Sequence, residues 1–201
     1  MKLWLLAPVK PFDESKSRLA AILSRAERAE LTRALLERML HVARDSGRFA
    51  GLLVVSRDDA VLALAAASGA QAVRERCADL NAALRQACEQ ARIEGADAAL
   101  ILPADLPYLT AGDIDLVLAS AQPTVDVVIA PSQDGGTNAL LLRLPLRLPL
   151  CFGPDSFRRH QQAAAAAGLA VAVCTSPTLA FDLDRPEDLE VLRADGTSVG
   201  R

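Results

Sequence analysis

The sequence predicts an α/β fold with a mixed, mainly parallel sheet flanked by helices. Three observations point to it. Short apolar runs alternate with helix-period segments along most of the 201 residues, the pattern of βα units feeding a parallel sheet. A glycine turn, Asp134-Gly135-Gly136, separates two strand-like runs and adds an antiparallel hairpin to that sheet. Apolar residues make up 51% of the chain and charged residues 23%, enough to bury a real core and to exclude a disordered or fibrous protein. At roughly 150 residues per domain, residues 1–201 read as a single domain.

The elements follow in order. Leu3–Ala7 is the first strand; the apolar run Leu3–Val9 is too short for a signal peptide, and Lys10 and Asp13 follow where a small-residue cleavage site would stand. Arg25–Arg44 carries Leu31, Leu35, Met39 and Val42 at three- and four-residue spacing, as an amphipathic helix does, and Gly47 ends it. Leu52–Ser56 is the second strand, and Asp58 or Asp59 caps a helix through Ala67. Ala70–Val73 is the third, with Asp79 or Asn81 capping a helix through Ile93. Ala98–Leu102 is the fourth, and Thr110 with Asp113 forms a capping box before Ile114–Ala121. Val125–Ala130 and Asn138–Leu142 pair as the hairpin, while Leu144–Leu150 has neither period and is a connection. Ala163–Ala167 belongs to an alanine-rich helix, Ala170–Cys174 and Leu179–Phe181 are the last strands, and the tail at 195–201 is expected to fray.

Charge and composition narrow the function. The balance of 22 Lys+Arg against 25 Asp+Glu leaves a formal charge of −3, without the basic field that nucleic acid binding needs. The longest apolar stretch, Ala139–Phe152, is broken by Arg143, Pro145, Arg147 and Pro149, whereas a membrane span needs about 20 apolar residues. Cys77, Cys88, Cys151 and Cys174 have no C-x-x-C spacing, so neither zinc nor a disulfide framework is indicated and a reducing cytoplasm fits. Only His41 and His160 are present, both in expected helices, which argues against a Ser-His-Asp hydrolase.

The lysines are unevenly placed: Lys2, Lys10 and Lys16 are the only ones, against 19 arginines. Two of them lie in the loop after the first strand, where open α/β sheets bind ligands. Lys10, Lys16 and Arg18 can neutralise a polyphosphate there, although the loop lacks the glycines of a Walker A motif; the alternative is a solvated charged loop. The run Ala98–Leu102 then delivers Asp105 to the sheet rim. A nucleotide triphosphate arrives with Mg²⁺, which takes one or two protein carboxylates; otherwise Asp105 only forms the turn before Pro107. Asp182 and Asp184 alternate in an extended segment and can face one ion together, while Asp184 ahead of Pro186 and Glu187 also reads as a helix start. Gly135-Gly136-Thr137-Asn138 and Gly153-Pro154-Asp155-Ser156 form two small-residue rims around a small acid, unless the carboxylate of Asp155 fills the second rim's helix cap itself.

Taken in order, Pro8-Val9-Lys10 through Lys16-Ser17-Arg18-Leu19, Leu102-Pro103-Ala104-Asp105-Leu106-Pro107, Gly135-Gly136-Thr137-Asn138, Phe152-Gly153-Pro154-Asp155-Ser156-Phe157 and Phe181-Asp182-Leu183-Asp184-Arg185-Pro186-Glu187-Asp188-Leu189 resemble the 2-phospho-L-lactate guanylyltransferase family. The likeness spans nearly the whole chain. It implies a Rossmann-like, GT-A-like nucleotidyltransferase fold and transfer of GMP from GTP to 2-phospholactate, phosphoenolpyruvate or 3-phosphoglycerate, in making a deazaflavin hydride carrier. By the same resemblance Asp105, Asp182 and Asp184 hold Mg²⁺, Thr137, Gly153 and Ser156 contact the acceptor, and Leu80 and Asn81 lie beside the nucleotide. Asp79 departs from the family, which brings a glycine before Leu-Asn. Rival readings are a molybdopterin or sugar-phosphate nucleotidyltransferase, though the glycine-rich loop of the former is missing, and a catalytically silent nucleotide-binding module.

Overall fold

A computed structural model describes residues 1–196. Seven strands form one sheet in the order β3-β2-β1-β4-β6-β5-β7: β1 Leu3–Pro8, β2 Gly51–Ser56, β3 Gln71–Arg74, β4 Ala98–Ile101, β5 Val127–Pro131, β6 Thr137–Arg143 and β7 Val171–Val173. The pairs β1–β2, β2–β3, β1–β4 and β5–β7 are parallel, whereas β6 is antiparallel to both β4 and β5. The sheet is therefore parallel except for one reversed strand, as the glycine turn predicts.

The helices are α1 Arg25–Asp45, α2 Asp59–Ala67, α3 Leu80–Ile93, α4 Ala111–Ser120, α5 Ser156–Ala166, α6 Pro177–Ala180 and α7 Pro186–Ala194. Their starts are chemically specified. The hydroxyl of Ser24 accepts from Glu27 N–H at 3.2 Å while Glu27 reaches back to Ser24 N–H at 2.7 Å, a reciprocal box that satisfies two otherwise orphaned donors. Asp58 and Asp79 cap α2 and α3, and Thr110 with Asp113 boxes α4.

Alternate strand residues face opposite layers. Leu3, Leu5 and Ala7 pack with Leu36, Met39 and Leu40 of α1 on one face; Leu6 packs with Leu84, Ala87 and Cys88 of α3 on the other. Because both faces are covered, the strands read as continuous apolar runs rather than alternating ones. A third cluster, Leu19, Leu31, Leu35, Leu183, Leu189 and Leu192, ties the loop after β1 and helix α7 to α1.

Three sequence expectations are corrected. Leu179–Phe181 is not a strand: Pro177 starts a helical turn and the Ser176 hydroxyl accepts from Leu179 N–H, so local capping overrides the short apolar run. Asp184 does not cap α7; the cap position is Arg185, and Asp188 reaches back to accept from the N–H groups of Asp184 and Arg185 at 2.9 and 2.6 Å. Asp155 precedes α5 with φ +54° and makes no side-chain cap, since the left-handed backbone turns its carboxylate toward Arg158. Of the expected frayed tail, Asp195 and Gly196 close the last turn of α7 by backbone bonds to Val191 and Arg193, and 197–201 lie outside the described residues. No helix among the described residues is long and apolar enough to cross a membrane.

Gly51 pairs with Trp4 across β1 and β2, and a β-carbon at Gly51 would lie 2.5 Å from the indole ring. Gly51→Ala is expected to cost about 1–3 kcal/mol, the usual penalty of overpacking. Denaturant unfolding measures it, and in a Trp4→Leu background the penalty should largely vanish if the ring is its cause.

Candidate active site

A cleft of about 290 Å³ opens where β1 to β4 end, lined among others by Pro8, Lys10, Lys16, Glu75, Leu80 and Asp105. This is the carboxyl edge of the parallel strands, where ligands bind in α/β sheets. Beyond β1, Val9 N–H continues the ladder to Val55 O at 3.0 Å, and Ser15, buried, returns its hydroxyl to Pro11 O at 2.9 Å. That folding brings Lys16 into the left-handed region at φ +53°, an uncommon setting for a residue with a β-carbon.

The conformation sends the Lys16 side chain inward until it is only 5% exposed, with Nζ at 2.7 Å from Asp105 Oδ2 and 3.0 Å from Asp184 Oδ1. Burial alone would push its pKa down, but the two carboxylates more than compensate and hold it above the usual 10.5. Arg18, largely exposed, reaches the other oxygen of Asp184 at 3.3 Å. Lys10 lines the cleft and is exposed.

Asp105 and Asp182 are 77 positions apart and meet through the residue between the two later acids. Leu183, fully buried, donates its N–H to Asp105 O at 3.0 Å. The leucine anchors the segment in the third cluster and leaves Asp182 and Asp184 on either side of the anchor. Asp182 is pushed up to about 6 by burial first, then by the charge of Asp105, with Asp184 and Asp134 adding to it. Asn138 donates to Asp182 Oδ1 at 3.3 Å and to Leu179 O at 2.8 Å.

The two small-residue rims also meet. Ser156 Oγ donates to Thr137 Oγ1 at 3.0 Å, and Thr137 Oγ1 lies 3.1 Å from His160 Nδ1. Cys151 N–H donates to His160 Nε2 at 3.0 Å; a backbone amide can only donate, so the neutral ring carries its proton on Nδ1 and gives it to Thr137. Gly153, at φ +123°, accepts from Ser156 N–H at 3.1 Å. Asn81 exchanges two bonds with the backbone of Phe152, at 2.8 and 3.1 Å.

Of the residues singled out in the sequence, Lys16, Arg18, Asp105 and Asp184 form one ion-paired cluster, with Asp182 beside it. Lys10 and Leu80 share its cleft, whereas Thr137, Gly153 and Ser156 form a second cluster that does not line it. Asn81 spends its amide on the Phe152 backbone. Among the described residues no three His, Cys, Asp or Glu groups are set as a ready-made cage for an ion, because the ammonium of Lys16 stands between two of the carboxylates. Sequence reasoning missed Asn138, His160 and Asp113. Asp113 is buried and accepts from Ser176 Oγ at 2.6 Å, fixing the segment that leads to Asp182. Each was named for something else: Asn138 as the last residue of the Gly135–Asn138 rim, Asp113 as half of a capping box and His160 as a helix residue.

Burial, with the charge of Arg159 added, pushes His160 down to about 4 from an ordinary 6.5. Between those values the unfolded chain takes up a proton that the folded one refuses, so this contribution is complete above about pH 6.5 and lost as pH falls toward 4. A loss on the order of 3 kcal/mol is expected over that window. Urea unfolding at pH 7.5 and 4.5 should show it, and His160→Gln should flatten that part of the profile.

The family model for "Guanylyl transferase CofC like" proteins matches residues 3–199. The chain is 46% identical over 197 residues to the phosphoenolpyruvate guanylyltransferase of Rubrobacter xylanophilus, covering 98% of this chain and 96% of that protein. It is 38% identical over 201 residues to the 2-phospho-L-lactate guanylyltransferase of Methanothermobacter thermautotrophicus, covering 98% and 87%. Among solved structures, a 4-diphosphocytidyl-2C-methyl-D-erythritol synthase superposes with a TM-score of 0.69 at 14% identity, over 96% of this chain and 97% of that one, a likeness of fold. With a model matched almost end to end and relatives that share more than a third of its residues, the chain belongs to the CofC-like guanylyltransferase family.

Proposed function

We propose that this chain transfers GMP from GTP to a phosphorylated three-carbon acid, 2-phospholactate, phosphoenolpyruvate or 3-phosphoglycerate, and releases pyrophosphate. The observation that carries the reading is the convergence of Asp105 and Asp184 on Lys16 at the mouth of the cleft, with Asp182 close enough to feel the charge of both carboxylates. Three carboxylates against one buried ammonium leave the cluster net negative, and hard oxygen donors of that kind fit a divalent cation. Asp105, Asp182 and Asp184 would hold Mg²⁺, which when bound supplies positive charge between two anionic substrates.

The chain's own cations do the remaining electrostatic work. Lys10, Lys16 and Arg18 offset the charge of the triphosphate and of the departing pyrophosphate. The acceptor's phosphate, with a second pKa of about 6, is already nucleophilic at neutral pH. Hence no general base is required, which agrees with a His160 that is neutral, buried and fully hydrogen-bonded. The protein's task is to hold two anions in line at the α-phosphorus, with no covalent intermediate.

Thr137, Gly153 and Ser156 serve as acceptor contacts in this reading, supported by their convergence from two chain segments. Leu80 gives an apolar wall for the nucleotide, and Asn81 braces the Phe152–Gly153 turn between the two halves. The free thiols of all four cysteines support a reducing, cytoplasmic setting.

Incubation with Mg²⁺, GTP and each acid, following pyrophosphate, tests the function. Turnover is expected with at least one acid; GTP binding without turnover on any of the three would overturn it. Asp105→Asn and Asp182→Asn should each lower turnover by at least about 100-fold, as loss of several kcal/mol of transition-state stabilisation requires. Their stabilities should diverge. Asp105→Asn deprives a buried ammonium of one partner and lowers the melting temperature, whereas Asp182→Asn removes a crowded like charge and at pH 7 leaves it equal or higher. Near-normal turnover of both variants at low Mg²⁺ would discard the metal assignment.

A further inference from the structure

We propose that Glu75 reads the guanine ring, accepting from its N1–H and 2-amino groups. The inference rests on the GTP-dependent reaction above and names the base contact at the far end of the same cleft. Guanine presents two donors side by side on its Watson–Crick edge, and a carboxylate is the side chain that accepts both at once. Adenine turns an unprotonated N1 to the same place and has no 2-amino group.

The carboxylates lining the cleft are Asp105, Asp184 and Glu75. The first two are engaged by Lys16 at the phosphate end. Glu75 stands apart, just past the end of β3, where its N–H donates to Ser56 O at 2.9 Å. Its side chain is only 11% exposed, and Oε1 accepts from Arg57 Nη1 at 2.9 Å. Among the described hydrogen bonds Oε2 has no partner. Arg57 is itself shared, since its other arm pairs with Glu14 in the loop after β1. The guanidinium therefore fixes where the Glu75 carboxylate stands without saturating it.

The surroundings suit a flat base. Leu80, a large apolar side chain left 41% exposed, lines the cleft beside Ala83 and opposite Pro8 and Val9 at the end of β1. A carboxylate oxygen without a protein partner loses its water when a base fills the cleft, and two ligand donors recover that cost. An adenine base would leave that oxygen dry and facing a lone pair, so discrimination follows from the unmet group.

The alternative is that Glu75 only struts β3 against Arg57. Turnover and competition binding with GTP, ITP and XTP separate the two. ITP lacks only the 2-amino group, so the wild-type protein should use it roughly 10- to 100-fold less efficiently, the worth of one hydrogen bond to a charged group. In Glu75→Gln the amide retains an oxygen for Arg57; kcat/KM for GTP should fall by a similar factor, mostly through KM, while the GTP-to-ITP ratio moves toward one. XTP should gain, because the glutamine N–H can donate to its C2 carbonyl. A wild-type protein that binds ITP as tightly as GTP overturns the assignment without any variant, as does a folded Glu75→Gln with unchanged base ratios. A wild-type protein that uses ATP as well as GTP refutes the guanylyl reaction itself, a distinct result.

Discussion

One buried ammonium organises the site. Lys16 is taken almost wholly out of water and recovers that cost through two carboxylates contributed by segments 89 and 168 residues away. To reach them the backbone adopts a left-handed turn at a residue with a β-carbon, and the strain is held by the buried leucine that follows and the hydrogen-bonded serine that precedes it. The loop after β1, the end of β4 and the approach to α7 are thereby fixed relative to one another. Without the lysine, Asp105, Asp182 and Asp184 would crowd as like charges with nothing between them.

The framework was readable because it is written in local chemistry. Apolar runs with glycine and aspartate punctuation gave all seven strands, to within about two residues, and the capping residues of α2 to α4 act as their spacing implies. The failures were local contests too. At Ser176-Pro177 a capping hydroxyl and a preset proline outweighed a three-residue apolar run, and at Asp184 the longer-range reach of Asp188 replaced the nearer carboxylate.

The site was legible only as chemical types, and the partnerships were not. Lys16 and the aspartates stood out in sequence, yet nothing along the chain says that the lysine stands between two of the acids. Nor does it say that Leu183 is the hinge of their meeting through one backbone hydrogen bond. His160 was dismissed as a helix residue. Its value lies in a tautomer set by the Cys151 amide, which depends on how a connection without periodicity folds back on α5. Glu75 drew no notice in the sequence, because its shelter comes from Arg57, just past the end of the neighbouring strand β2.

The single reversed strand has a consequence of its own. Because β6 runs against its neighbours, its beginning, not its end, lies at the edge where the parallel strands finish, and Thr137 and Asn138 arrive there from the hairpin turn. In the proposed reading the nucleotide lies against β1 to β4 and the acid against that turn and the Gly153 loop. The same turn is tied to the acidic cluster, since Gln133 N–H donates to Ala180 O at 3.0 Å and the charge of Asp134 bears on Asp182, so a change of length at 132–136 reaches both ends of the site at once.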